Sequence, residues 1–372
     1  MKVSLVTVHG YRNYGSILQT YSTQEKMRQF GGEVEVLNYV REDSNDKNFG
    51  TWLIEKTIGS NANPLKKLAY RIVIRASIRR FAKVCDSFLQ KNVNLSGPVF
   101  YDHTLAAEYS KGADIYCTGS DQVWNVNANN GILPPYYLTH APEGKKCISY
   151  ASSFGTTGFT EEQFREMQPL FAKFDSMSLR EQYGIDMLEK MGYEGAQLVV
   201  DPTLAVDGSF WSKLFDENPV KGKYVLMYQL NSNAKMDEYA EKFAKEKGLK
   251  LIRIGTRHDH LLKNGKTILL PKAGEWLRLF ADAEYVLTDS FHGTAFSINF
   301  GKELLCFAPK NFSDRILDIL RVMEIKGRMV EDYSRFDYTD TPIDYNKVNE
   351  RLSAVRRQTE EYLRKALTIE EK

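Results

Sequence analysis

Three features of this sequence predict an α/β fold of two doubly wound domains facing each other. β-Prone runs alternate with helical runs along nearly the whole chain. The alternation breaks once, over residues 203–222, and then restarts. The length of 372 residues suits two domains at about 150 residues each.

The elements follow in order. "KVSLVTV" (2–8) reads as a strand, "HGYRNYG" (9–15) as a loop, "SILQTYSTQEKMRQFGG" (16–32) as an amphipathic helix closing on glycine, and "EVEVLNYV" (33–40) as the next strand. That is a βαβ unit, which starts a parallel sheet. Residues 42–63 are polar and loop-rich, and 64–90 form a basic helix opening on Pro64. Strands are expected at 114–120, 146–155, 176–181 and 196–203, with helices at 161–174 and 182–191. After the break come strands at 223–230, 249–255, 284–290 and 302–308. Helices are expected at 234–248, 273–283, 293–301, 313–323 (capped by Ser313 or Asp314) and 346–368. The division is therefore 1–205 as an N-terminal Rossmann-like domain with a basic helical insertion over 42–100, 206–345 as a second Rossmann-like domain, and 346–372 as a C-terminal helix.

Composition narrows the class. Hydrophobic residues make up 42% and charged residues 26%, with net charge +2, an ordinary globular balance that does not indicate a whole-molecule polyanion binder. Cys85, Cys117, Cys147 and Cys306 form no C-x-x-C pair, and no Cys/His cluster has metal-ligand spacing. No metal, no cofactor and no nucleic acid are expected. The cysteines suggest a reducing, cytoplasmic setting. The first apolar run is too short for a signal peptide, and none approaches the roughly 18 residues of a spanning helix. Contact with a membrane is expected to be peripheral at most, at its inner face. In 64–90, Lys67, Arg71, Arg75, Arg79 and Lys83 recur every fourth residue as a basic stripe, with Leu65, Leu68, Ile72 and Phe81 off it. Such a stripe is usually a solvated face; it also suits anionic lipid.

In doubly wound sheets ligands bind beyond the carboxyl ends of the strands, so the strand-to-helix turns are the candidate site. In the first, Asn13, Gly15 and Ser16 open a helix whose N–H groups suit an anion or a sugar hydroxyl; a plain tight turn capped by Ser16 is the other reading. In the second, "CTGSDQVWN" (117–125), Asp121 at a strand end can accept a hydroxyl proton. Ser120, Gln122, Trp124 and Asn125 form a polar cluster around an aromatic face of the kind sugars stack on. Alternatively Asp121 caps a helix and Trp124 is core. These two turns are the expected acceptor side.

In the third turn, "SLREQYG", Arg180 can fork onto a carboxylate or phosphate, or pair with Glu181 or Asp175 at the surface. In the fourth, "TDSFHGTAFSINF" (288–300), Ser290, His292, Gly293 and Thr294 stand at a helix N-terminus. Gly293 would let a ligand approach the backbone, and Thr294 would hold an anion's oxygens. His292 carries a proton near neutral pH, and a bound anion raises its pKa. The other reading is a half-buried histidine bonded to Asp289. Arg315, on the first turn of a later helix, is a second anion fork or a surface arginine. Arg257, with His258 and His260 after a strand, is read as part of a loop lining the cleft.

Taken together, "NYGSILQTYSTQ", "GSDQVWN", "ISYASSFG", "SLREQYG", "VVDPTL" and "TDSFHGTAFSINFGKELLCF", in this order from about residue 3 to residue 325, resemble the polysaccharide pyruvyl transferase family. The resemblance implies two Rossmann-like domains in a GT-B-like arrangement. It implies transfer of a pyruvyl group from phosphoenolpyruvate, as co-substrate, to a sugar of a polysaccharide or lipid-linked glycan precursor, making a pyruvate ketal, as in exopolysaccharide or capsule biosynthesis. The family's histidine falls on His292 and its S-x-R-(D/E) arginine on Arg180. Several members resemble R-(L/F)-H-G at the histidine turn. Here the arginine's place is taken by Ser290, so Arg180, Arg257 or Arg315 would have to bind the donor. The expected catalytic pair is His292 as acid and Asp121 as base. The alternatives are a GT-B-type glycosyltransferase using a nucleotide sugar, with Glu275 as a ribose-binding acid, and a non-catalytic glycan-binding homologue.

Overall fold

The computed structural model describes residues 1–42, 63–308, 313–333, 336, 338 and 340–368. Most of the polar loop expected at 42–63, residues 309–312 and the chain after 368 lie outside the described residues; Ser313 and Asp314, expected as caps, already lie inside the helix Ser313–Val322.

The first sheet is parallel, ordered β2-β1-β3-β4, from β1 (Lys2–Val6), β2 (Glu33–Val36), β3 (Ile115–Thr118) and β4 (Lys146–Ser149). A short pair, β5 (Ser178–Leu179) and β6 (Gln197–Leu198), continues it through the single bridges Ile148–Ser176 and Ser152–Leu179. The second sheet is ordered β12-β11-β10-β7-β8-β9 and is also parallel. Its strands are β7 (Tyr224–Tyr228), β8 (Lys250–Gly255), β9 (Lys266–Leu269), β10 (Tyr285–Thr288), β11 (Glu303–Phe307) and β12 (Met329–Val330). Central strands such as β1, β3 and β7 are buried almost throughout, which is why they read as continuous apolar runs rather than alternating ones.

Helices cover the sheets. They include α1 (Tyr14–Arg28), α2 (Pro64–Asn92), α3 (Glu161–Met167), α4 (Gln182–Lys190), α5 (Ala234–Glu246), α6 (Ala273–Ala281), α7 (Phe291–Asn299), α8 (Ser313–Val322) and α9 (Tyr345–Ala366). Strands end earlier than the sequence suggests: β3 stops at Thr118 and β10 at Thr288, because the polar residues that follow turn out of the sheet to build the site. The expected helix 161–174 is α-helical only to Met167 and then tightens into a 3-10 turn through Lys173, with Pro169 at its start. Strands β9 and β12 were not expected. Both are edge strands too short to show a period of their own.

Two elements tie the halves together. α9 leaves the second sheet and packs back onto the first. Its Tyr362 hydroxyl donates to the Ser149 carbonyl at the end of β4, at 2.5 Å, and its Thr359 hydroxyl accepts from Val200 N–H. α2 also spans both halves. Phe81 packs on Tyr14 of α1, which stacks on Trp276 of α6 with centroids 5.5 Å apart. Ser77 meets His258 Nδ1 at 2.7 Å, and Arg80 donates to the Leu269 carbonyl. The inner face of α2 buries Ile74, Ile78, Phe81 and Cys85. Leu68 and Ile72 do not turn inward off the basic stripe; they stand exposed on the same face as Arg71, Arg75 and Arg79.

Candidate active site

The carboxyl ends of β3, β4 and β5 meet the start of α7 between the two sheets. Arg180, directly after β5, is the centre of the group and is 7% exposed. Its Nε donates to Glu181 Oε1 at 2.9 Å, and one terminal nitrogen donates to Asp201 Oδ2 at 2.6 Å. The other terminal nitrogen reaches Asp121 Oδ1 at 3.3 Å. This is a buried network, not the surface pair with Glu181 or Asp175 that sequence allows; Asp175 accepts from Cys147 N–H instead. A buried guanidinium is stable only with its hydrogens and charge satisfied, and three carboxylates do this.

Each carboxylate is fixed in turn. Asp201 follows β6 and caps the short helix 202–205 through Thr203 N–H and Oγ1, while Ser120 donates to its other oxygen. Burial pushes its carboxyl up, but Arg180 and then His292 outweigh this and hold it below the usual range. Asp121 follows β3 with φ +70°, a left-handed conformation that aspartate tolerates better than most residues. Its carboxylate accepts from Ser16 Oγ at 3.1 Å and from Gln122 N–H. Burial raises it, and Arg180, His292 and Arg315 together hold it low. Glu181 accepts from Ser153 Oγ; burial dominates there and pushes its carboxyl up despite Arg180.

His292 lies in the first turn of α7, which starts at Phe291 rather than at 293, because Ser290 is the cap and accepts from Gly293 N–H. The imidazole is 6% exposed, and its Nε2 is buried with no hydrogen-bond partner. Asp289 is not its partner; it accepts from Leu230 and Asn231. Burial lowers the pKa of His292. Asp201 and Asp121 oppose that shift, while Arg180 and Arg315 add to it. A Cβ on Gly15 would sit 2.1 Å from His292 Nδ1, so the glycine of α1 in one half is packed directly on the histidine of the other.

The remaining predicted residues divide. Phe291 stands between two guanidiniums, with Arg180 at 4.5 Å and Arg315 at 5.8 Å from its ring centroid. With its amide oxygen turned toward Arg315, Gln122 accepts from both terminal nitrogens at 3.3 Å. Asn13 caps α1 through Gly15 N–H. Asn125 accepts from Ala128 N–H, holding the turn. Trp124 is fully buried against Phe154 and Phe171 and donates to the Tyr136 carbonyl, so no stacking face is open to a sugar. Thr294 donates to the Ser290 carbonyl and meets Cys306 Sγ within the helix packing. A Cβ on Gly293 would lie 2.3 Å from Thr288 Oγ1, so its small size serves helix-to-strand packing rather than ligand approach. Arg257 pairs with Asp259 in the loop that meets α2 through the Ser77–His258 hydrogen bond. Glu275 caps its own helix by accepting from Lys272 N–H.

Glu181, Asp201 and Phe291 are the site residues that sequence reasoning missed. Asp201 had a signal: an aspartate between a strand and Pro202 is a helix cap, and such caps fall at carboxyl ends of strands.

Two parallel α/β sheets with their strand ends meeting at one polar cluster define a GT-B-like protein. Solved structures agree on the fold. The S. aureus MnaA–UDP complex superposes with TM-score 0.52 at 10% identity, covering 98% of this chain and 90% of that one. A UDP-N-acetylglucosamine 2-epimerase assigned in Listeria monocytogenes gives TM-score 0.50 at 11% identity, covering 99% and 91%. No functionally curated protein matches the chain in sequence. The sequence pattern of the polysaccharide pyruvyl transferase family matches residues 13–311, and the chain belongs to that family.

Proposed function

We propose that the protein transfers a pyruvyl group from phosphoenolpyruvate to two hydroxyls of a glycan or lipid-linked glycan sugar, forming a pyruvate ketal. The observation that carries this is the unpartnered, buried Nε2 of His292 beside two guanidiniums and the Asp121–Ser16 pair.

The chemistry suits these groups. Asp121, Glu181 and Asp201 against Arg180 and Arg315 leave the cluster one positive charge short, while burial keeps His292 below its ordinary pKa. A donor carrying a carboxylate and a phosphate adds negative charge and draws a proton from solvent onto His292. Arg315 and the Asp121-bound nitrogen of Arg180, whose contact is the longest of its three, receive the anion. His292 gives its proton to the CH2 carbon, which becomes methyl. One sugar hydroxyl attacks the neighbouring carbon and its proton passes to Asp121. The second hydroxyl attacks the same carbon, phosphate leaves with that hydroxyl's proton, and the ring closes. The proton on Asp121 restores His292. Each proton transfer contributes about a hundredfold to ten-thousandfold.

The test is phosphate release from phosphoenolpyruvate in the presence of a panel of glycan acceptors. His292→Asn should keep donor affinity and lose turnover by at least about a hundredfold. Turnover that survives in His292→Asn would remove the histidine from the acid role.

A further inference from the structure

The outer face of α2 belongs to no part of the catalytic cluster. Between residues 64 and 85 the chain carries seven Lys and Arg and no Asp or Glu; its net charge is +2, so the rest stands at −5. On the helix the exposed side chains fall on one face: Leu68, Arg71, Ile72, Arg75, Arg79 and Lys83. Leu68 is 56% exposed and Ile72 67%. The opposite face is filled by Ile74, Ser77, Ile78 and Phe81. An amphipathic helix normally hides its apolar side. Here the inner face is already packed, yet two large aliphatic side chains stand among arginines in water.

The turn His258–Leu262 meets the inner face of α2 through the Ser77–His258 hydrogen bond. Both anchor points of α2 lie beyond strand ends on the cleft side. Asp86 pairs with Arg12, which follows β1, and Ser77 pairs with His258, which follows β8. α2 is therefore attached to both halves at loops that follow strand ends.

We propose that this outer face of α2 docks the protein on an anionic lipid bilayer. Leucine and isoleucine side chains would enter the headgroup boundary while the arginines and Lys83 meet lipid phosphates. Apolar tips ringed by several cations on one helix face are what an interfacial helix needs, and charge complementarity favours an anionic bilayer over a second copy of this chain. Two copies meeting through this face would bring their arginine stripes together. No helix among the described residues is long and apolar enough to cross a membrane, so the contact is one of surface only. The inference stands independently of which donor the cleft takes.

The experiment is sedimentation of the full chain with vesicles of phosphatidylcholine alone and of phosphatidylcholine mixed with phosphatidylglycerol. The protein should pellet with the anionic vesicles only, and less as salt rises. Arg71→Glu/Arg75→Glu/Arg79→Glu should abolish pelleting. Leu68→Ser/Ile72→Ser should weaken it about tenfold or more, with the circular dichroism and melting temperature of both variants unchanged, since all these side chains are exposed. No pelleting, or equal pelleting with both vesicles, would overturn the proposal. So would a dimer in solution that Leu68→Ser/Ile72→Ser splits into monomers, which would make the face an interface between copies.

Discussion

Gly15 is where the two halves touch at atomic distance, and it shows how much the site depends on absent atoms. In a first helical turn, alanine normally improves on glycine. Here the added methyl would overlap His292 Nδ1, so the imidazole must rotate away from Asp121 and Arg180. A displacement of about 1 Å can cost a hundredfold in rate. Gly15→Ala should therefore lower kcat by about that factor and also lower the melting temperature, because His292 Cβ, which ring rotation does not move, would lie 2.8 Å from the new methyl. A variant with full kcat would show that the contact has no bearing on the reaction. At this scale the sequence exposes His292, Asp121, Arg180 and Arg315, because polar residues just beyond buried strands stand out. It conceals Trp124, Gly293 and Thr294, whose orientation depends on tertiary packing that no local pattern encodes.

At the scale of elements, α1, α2 and α6 form the hinge side of the cleft through stacked aromatic rings. The Tyr14 hydroxyl donates to the Pro271 carbonyl at 2.5 Å across the two halves. Tyr14→Phe keeps the ring stack on Trp276 and leaves that carbonyl buried without its partner. The expected cost is about 1 to 2 kcal/mol in denaturant unfolding, with the slope unchanged because the surface exposed on unfolding is the same. A loss below about 0.3 kcal/mol would mean that water replaces the bond. Sequence periodicity places α1, α2 and α6 to within a few residues. It does not show that α2 and α9 cross between domains, because an apolar helix face reads the same whichever sheet it covers. The edge strands β9 and β12 escape notice for a related reason: β12 has only two residues, and β9, as long as β10, lacks the burial that marks β7 or β10.

At the scale of the whole molecule, histidines held below their ordinary pKa contribute to the loss of stability in acid. His140 packs edge-on to Tyr116 with both ring nitrogens lacking hydrogen-bond partners. Burial, helped by Lys173, pushes its pKa down to about 4. The unfolded chain binds a proton there near pH 6.5 and the folded chain does not until about pH 4. Stability is thus full above pH 6.5 and falls as the pH drops toward 4. His9, His260 and His292 shift the same way, while Glu181 and Asp289, whose carboxyls burial pushes up, act in the opposite sense at lower pH. His140→Phe keeps the ring and removes the proton. It should be more stable than the native chain by up to about 2 kcal/mol at pH 5, relative to the same comparison at pH 8. An equal difference at both pH values would show that His140 is protonated in the folded state.

The central claim is that an anionic donor and a proton arrive together at His292. Calorimetric titration of phosphoenolpyruvate near pH 7, repeated in buffers of different ionisation enthalpy, measures that directly. Native protein should bind phosphoenolpyruvate with uptake of close to one proton, and His292→Asn should bind it with almost none. Binding without proton uptake in the native protein, or no binding of phosphoenolpyruvate beside firm binding of a UDP-sugar, would contradict the account.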